Sequence, residues 1–448
     1  MPDFDLIVIG SGPAGYSAAL RAGDLGATVS VVEDQNAGGN CVRFNCVPSN
    51  ILLDTVHTAL EAQALALQGV LPSTGEPGFT RALARQAQLV AGVQTGIRNL
   101  LGARRVRFVG GRVRLLPEGA APLRVAVQLA EGGAEELSAG AVIVATGARG
   151  MAPALAGLPP DGVLTSDQLL ALPEPPPSLL VLGGGPVGLV FALEYAFLFA
   201  AFGSRVTLAE AGPHVLPGED EELAGYLAQS LETAGLRVLT GATVKGFDEE
   251  GSERRALLTT PTGDAAVPAA AVVAPDCRQP YLEGLGLGAL GARLSEGGAL
   301  AVDAACATSV PGLYGAGDCT GGVMLSHAAI HEGRVAAENA LGEGSRLDLR
   351  AVPRCMHTQP EYAAVGLSDA QARVEGREVR VGLADLAANA RAAALGQGEG
   401  VVKLAADART GEILGVHILG PQASELIGQA VLAMRLEATV YDLAAAVH

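Results

Sequence analysis

Asp5-Leu6-Ile7-Val8-Ile9-Gly10-Ser11-Gly12-Pro13-Ala14-Gly15 reads as a short apolar β-run, a glycine turn and the start of a helix. Gly10, Gly12 and Gly15 fit G-x-G-x-x-G in the context that gives the pattern meaning, after a strand and opening a helix. The first glycine makes the turn, the second lets a pyrophosphate approach the backbone, and the third lets the helix pack on the sheet. The helix start adds free N–H donors and a dipole that favours an anion. The helix is expected over Pro13–Leu25 with Gly26 as its stop, and Thr28–Val32 as the next β-run. Glu33 closes that run, about 20 residues beyond the turn, where a ribose contact is expected. The chain therefore opens as a βαβ dinucleotide-binding unit on a parallel sheet.

The same grammar returns further on. Leu179–Leu182 is a β-run, Gly183-Gly184-Gly185-Pro186-Val187-Gly188 repeats the glycine pattern, a helix runs to about Phe202, and Arg205–Ala209 follows. Its strand ends at Glu210. A carboxylate there can bind both hydroxyls of an unphosphorylated ribose and would repel a 2′-phosphate, which favours NAD over NADP. The bland alternative for Glu210 is a solvated strand end. Leu179 to Phe202 is apolar enough to imitate a membrane span. Its glycines, Pro186 and Glu194 argue instead for a buried strand, a tight turn and a buried helix.

The 448 residues allow several domains, and 49% apolar with 17% charged residues marks a globular chain. A net charge of −17 argues against a nucleic-acid partner. The first strand begins almost at the N-terminus with no signal segment before it, so a cytoplasmic location is the expectation. Between the two units, Ile51–Leu101 reads as mostly helical, Val106–Val127 as alternating strands and Val142–Val144 as a buried strand. Pro173–Pro177 reads as a linker. Asp220–Ala234 is an amphipathic helix stopped by Gly235. After Gly342 the pattern changes to antiparallel strands over Val352–Val381 and Val401–Leu419, then helix from Ser424.

Six cysteines in a cytosolic chain of this size do not make a disulfide scaffold. Cys41 and Cys46 stand close together in Gly38-Gly39-Asn40-Cys41-Val42-Arg43-Phe44-Asn45-Cys46-Val47-Pro48-Ser49. If Cys41 opens a helix, Cys46 lies a little over one turn on, within reach of a disulfide. Buried free thiols and half a zinc site are the alternatives. No cysteine–histidine cluster completes a metal set, so no metal is expected.

These motifs resemble the pyridine nucleotide–disulfide oxidoreductases, and within them most closely the dihydrolipoamide dehydrogenases. The resemblance runs essentially end to end. It takes in Gly10–Gly15, Cys41–Cys46 with Pro48 and Ser49, Ala145-Thr146-Gly147, Gly183–Gly188 with Glu210, Gly315-Ala316-Gly317-Asp318, Met324–Ala328 and Thr358-Gln359-Pro360-Glu361. It implies an α/β fold with two Rossmann-like domains, for FAD and NAD, and a C-terminal α+β dimerisation domain. The implied boundaries are 1–147 and 277–345 for the FAD domain, 148–276 for the NAD domain and 346–448 for the last. It implies that Gly10, Gly12, Gly15, Glu33, Thr146, Gly147 and Asp318 hold FAD, Asp318 through the ribityl chain. Gly183, Gly185, Gly188 and Glu210 would hold NAD. Cys46 would be the thiolate against the flavin and Cys41 the thiol that exchanges with substrate. Electrons would pass between dihydrolipoamide, the Cys41–Cys46 disulfide, FAD and NAD. The implied partners are a second copy of the chain and the lipoyl domain or lipoamide of a 2-oxo acid dehydrogenase complex. His327 is expected to pack near the flavin, and His331 and His357 to be structural.

The chain departs from the family's pattern in places. Asn50 stands where the family has a lysine that pairs with a glutamate on the second unit's helix. Counting from Gly188 without a gap puts Val190 at that glutamate's position; one extra helical turn puts Glu194 there. With Val190, no charge is left buried alone. With Glu194, a carboxylate in an apolar helix is expected to face Asn50 with a raised pKa. The family's acid–base dyad lies beyond His448, so the sequence is truncated there or lacks a base worth roughly 10²–10⁴-fold in rate. Asp276 sits where the family has glycine. The second reading is thus an FAD- and NAD-binding paralogue with altered or lost disulfide activity.

Overall fold

The computed structural model describes residues 1–448 except 73, 74, 76, 118–121, 160, 184–187, 252, 275–277 and 448, and omits the side chains of 188–190. The chain forms two compact units. One comprises Met1–Pro48, Ala84–Met151 and Arg278–Leu349; the other comprises Ser49–Leu83, Ala152–Cys277 and Arg350–His448.

The first unit is built on a six-stranded sheet. Strand Phe4–Ile9 pairs in parallel with Val29–Glu33 on one side and with the second half of Ala134–Val144 on the other. Arg107–Leu115 and Leu313–Gly315 extend the parallel part at its two edges. Leu6, Ile7, Val8, Val31, Val142 and Ile143 are fully buried, as a parallel sheet covered on both faces requires. Leu123–Leu129 pairs antiparallel with the second half of Arg107–Leu115 and the first half of Ala134–Val144. Arg107–Leu115 alternates exposed and buried residues, so this meander has one wetter face. Helices Pro13–Asp24 and Ser326–Ala340 pack closely, and a Cβ on Gly333 would stand 2.1 Å from the Ala14 carbonyl oxygen. The first helix stops at Asp24, with Leu25 as C-cap and Gly26 at φ +84° behind it.

The second unit holds the other βαβ core. Four parallel strands lie in the order Ala271–Val273, Ser178–Leu182, Arg205–Ala209 and Arg237–Leu239. Helix Gly188–Ala201 follows the second of them, and its Ala192, Leu193, Tyr195, Ala196, Leu198 and Phe199 are fully buried. Among the described residues no helix is long and apolar enough to cross a membrane. Asp220 caps helix Glu221–Thr233 by accepting from the Leu223 N–H at 3.2 Å. A three-stranded antiparallel sheet spans Thr243–Pro268. The C-terminal region is a five-stranded antiparallel sheet in the order Arg354–Met356, Glu361–Gly366, Ile413–Gly420, Val401–Asp407 and Val379–Asp385. Helix Ala423–Arg435 lays Ala423, Ile427 and Ala430 on Ala363, Val365, Val416 and Ile418 of that sheet. Within the stretch read as strands over Val352–Val381, a short helix Asp369–Val374 intervenes, fixed by the Ser368–Gln371 capping box.

Candidate functional site

The first glycine turn does three separate jobs. Gly10 has φ +100°, and a Cβ there would stand 2.4 Å from the Ala145 carbonyl oxygen. A Cβ on Gly15 would stand 2.0 Å from the Gly10 carbonyl oxygen. Gly12 has its nearest neighbour at 4.0 Å, the Cα of Gly39, so its outer face is open. No side chain caps helix Pro13–Asp24 at Gly12. The open glycine and the uncapped helix start fit a dinucleotide pyrophosphate.

Glu33 is buried at the end of its strand. Its Oε2 accepts from the Ser11 N–H at 2.8 Å and the Ser11 hydroxyl at 2.7 Å, and its Oε1 accepts from the Gln35 N–H at 3.1 Å. Burial raises its pKa, and the Ser11 bonds oppose that. Thr146 presents a buried Oγ1 with no hydrogen-bond partner among the described residues. Gly147, at φ +69°, has open space where a Cβ would lie. An orphaned hydroxyl beside an open glycine fits a polar ligand group.

Asp318 accepts from Arg278 Nη1 at 3.0 Å. Gly317, at φ +80°, could not carry a Cβ without meeting the Ala14 methyl at 3.0 Å. Its N–H donates to Glu332 Oε2 at 2.6 Å, and Glu332 is buried with a pKa raised by that burial. Glu332 and Arg278 were not legible as site residues. A glutamate in an amphipathic helix reads as a solvated face, and an arginine opening a three-residue strand carries no pattern.

The structure brings Cys41 and Cys46 together, but on two helices rather than one. Cys41 lies inside the one-turn helix Gly39–Arg43, the chain breaks at Phe44 and Asn45, and Cys46 begins helix Cys46–Leu67. No disulfide joins them, and they hydrogen-bond each other. That bond lowers the Cys46 pKa, with Arg278 adding to the effect against burial. The same bond, with burial and the charge on Cys46, pushes Cys41 up. The shared bond thus favours the charge on Cys46 and the proton on Cys41. Cys306, Cys319 and Cys355 are each pushed up to about 12, first by burial. Tyr16, just past the third glycine, is raised first by burial.

In the second unit, the Gly183 N–H donates to the Ala209 carbonyl at 2.9 Å, tying the turn to the next strand. Gly185 lies outside the described residues, as do Asp276 and the side chains of Gly188 and Val190. Glu210 is 3% exposed. Its Oε1 accepts from the Gly212 N–H at 2.6 Å, and its buried Oε2 has no partner among the described residues. An unpaired buried carboxylate oxygen at this strand end fits a ribose hydroxyl.

Glu194 has a partner other than the one expected. Asn50 is exposed. The Glu194 carboxylate is buried and accepts from the His357 backbone N–H and pairs with its Nδ1, both at 2.9 Å. His357, expected to be a structural residue with no nameable partner, thus hydrogen-bonds a buried carboxylate. Its pKa is raised by that bond against burial. Beside it, His57 is lowered by burial and tilts against Phe197 at 5.6 Å.

A dithiol with one low and one high sulfur on a dinucleotide-binding fold, followed by a second such fold, defines a cofactor-dependent disulfide oxidoreductase. The chain belongs to the pyridine nucleotide-disulphide oxidoreductases: residues 4–333 match that family's model and 352–448 its dimerisation domain. It is 37% identical to a dihydrolipoyl dehydrogenase of Thermus scotoductus, over all of this chain and 94% of the relative. It is 35% identical to dihydrolipoyl dehydrogenase 3 of Pseudomonas aeruginosa, over all of this chain and 95% of that protein. Among solved structures, LpdA of Mycobacterium tuberculosis superposes with a TM-score of 0.88 at 32% identity, covering 99% of this chain and 96% of that one. The flavoprotein disulfide reductase RclA of Escherichia coli superposes with a TM-score of 0.85 at 26% identity, covering all of this chain and 96% of that one. The chain is an NAD-dependent flavoprotein disulfide oxidoreductase, with FAD and NAD as its cofactors.

Proposed function

We propose that the protein is a dihydrolipoamide dehydrogenase. The observation that carries this reading is the Cys41–Cys46 pair, two thiols brought together by the break between helices Gly39–Arg43 and Cys46–Leu67, near the Arg278–Asp318 pair. In the oxidised state the two sulfurs form a disulfide. A thiolate of dihydrolipoamide attacks Cys41, Cys46 leaves as the better leaving group because of its lower pKa, and a mixed disulfide forms. The second substrate thiol displaces Cys41, closing the lipoamide disulfide and leaving the enzyme dithiol. Bound FAD supplies a two-electron route from that dithiol to NAD. Arg278 holds positive charge toward the Cys46 thiolate and pairs with Asp318. Asp318 would accept from the ribityl chain, Gly12 and the helix start would hold the pyrophosphate, and Glu33 and Thr146 would hold polar groups of FAD. Gly183, Gly185, Gly188 and Glu210 are assigned to NAD.

Under this reading the FAD domain comprises 1–147 and 277–345, the NAD domain 148–276 and the dimerisation domain 346–448. The protein is a cytoplasmic homodimer, and its substrate is the lipoyl group of a 2-oxo acid dehydrogenase complex. Asn50 is what speaks for the paralogue with altered or lost disulfide activity, and that reading is not better supported. NADH-dependent reduction of lipoamide tests the proposal. Turnover that disappears in Cys41→Ser and Cys46→Ser is expected. Wild-type protein that carries FAD, is reduced by NADH and leaves lipoamide untouched would refute it.

A further inference from the structure

Beyond Glu210 the chain makes a strap fixed to the C-terminal sheet. Gly212 donates to Glu210, and its own carbonyl accepts from the Gly241 N–H at 2.7 Å. Val215 and Leu216 are buried in a core shared with Tyr362 and Leu419. The next residues carry polar ties. Gln371 Nε2 donates to the Gly218 carbonyl at 2.8 Å. Arg354 grips Glu219 with two nitrogens, its Nη2 lying 2.9 Å from Oε2, and the Tyr362 hydroxyl donates to the same oxygen at 3.0 Å. Lys403 Nζ stands 2.8 Å from Asp220 Oδ2 and 3.1 Å from Asp369 Oδ1.

The Glu219 side chain is only 7% exposed and Tyr362 is fully buried. Buried charges of this kind cost desolvation, and apolar side chains of similar volume often serve stability equally well. What a satisfied two-pronged pair adds is fixed geometry. The geometry fixed here is that of the segment running from Glu210 to the cap of helix Glu221–Thr233. A carboxylate meant to meet a ribose must be held to within about 0.5 Å.

We propose that Arg354 and Tyr362 are positioning residues for the nicotinamide dinucleotide: through Glu219 they set the strap that aims Glu210, so the dimerisation domain tunes NAD affinity. The inference rests on the assignment of Glu210 to the adenosine ribose. It also gives a role to Arg354, which no sequence pattern marks.

The test is calorimetric binding of NAD⁺ and of ADP-ribose to the FAD-loaded full-length protein. Glu210→Ala should weaken both ligands about tenfold or more, through loss of a charge-assisted hydrogen bond. Arg354→Met should weaken both about 3- to 10-fold and Tyr362→Phe about 3-fold, with Arg354→Lys between Arg354→Met and wild type. In turnover, Tyr362→Phe should raise the KM for NAD with kcat unchanged, the signature of lost uniform binding. If Arg354→Met does not fold, Arg354→Lys and Tyr362→Phe decide. Lowered melting temperatures with unchanged affinity for both ligands would overturn the proposal, provided Glu210→Ala binds weakly. If Glu210→Ala binds as tightly as wild type, the ribose assignment fails and the positioning role falls with it.

Discussion

Glu33 and Glu210 end equivalent strands of two copies of the same unit, yet they are held differently. Ser11 donates twice to one oxygen of Glu33 and Gln35 donates to the other, so both its oxygens are engaged within the chain. Glu210 has one oxygen tied to Gly212 and one buried and open. The first carboxylate is braced into its fold. The second keeps an acceptor in reserve and takes its position from a strap anchored elsewhere. One sequence pattern thus yields a site built into the fold and a site whose aim is adjustable, as suits a retained cofactor and an exchanging one.

The glycines give the largest expected effects. Gly10→Ala and Gly15→Ala force a Cβ onto backbone oxygens and should each lower folding stability by about 2 kcal/mol or more, read as melting temperature. Gly12→Ala should change stability by no more than about 0.5 kcal/mol, because its Cβ would meet only the Gly39 Cα at 4.0 Å, and should instead lower flavin content on purification. Equal destabilisation at all three positions would break the distinction between turn and ligand face.

The carboxylates come next. Glu33→Gln should destabilise the cofactor-free protein by about 1–2 kcal/mol, since two donors from Ser11 lose their charged acceptor. Glu210→Gln should cost less in stability and appear mainly as weaker NAD binding. Thermal melts beside binding titrations separate the two, and a reversed order would show that Glu210 is the structural member.

The smallest effect belongs to a third buried carboxylate, Glu194, whose partner titrates. His357 is raised by its bond to Glu194. The pair's stabilisation is therefore complete below about pH 6.5, the ordinary histidine value, and is lost as pH rises through the raised one. Melting temperature should fall less between about pH 6 and 8 in His357→Gln than in wild type. An identical pH profile would remove His357 from the account.

The parts legible in the sequence are those where local chemistry leaves one choice. Gly10 and Gly15 announced the turn because no other residue fits against Ala145 and Gly10. Alternation announced the meander and the C-terminal sheet. The spacing of Cys41 and Cys46 announced a pair, while the break at Phe44 and Asn45 that divides it between two helices left no pattern. The ties made across long stretches of sequence were silent. Glu194 and His357, Glu219 and Arg354, and Gly317 and Glu332 meet only after folding, and each member alone reads as an ordinary charged or small residue.

The central claim is that Cys46 is a thiolate beside the flavin and Cys41 the sulfur that meets substrate. The most direct measurement is the long-wavelength absorbance of Cys41→Ser, whose serine hydroxyl can still donate to Cys46. The account predicts a charge-transfer band at neutral pH that fades on acidification through the lowered Cys46 pKa and is missing from Cys46→Ser. A band that survives in Cys46→Ser, or is absent from FAD-loaded Cys41→Ser, would contradict it.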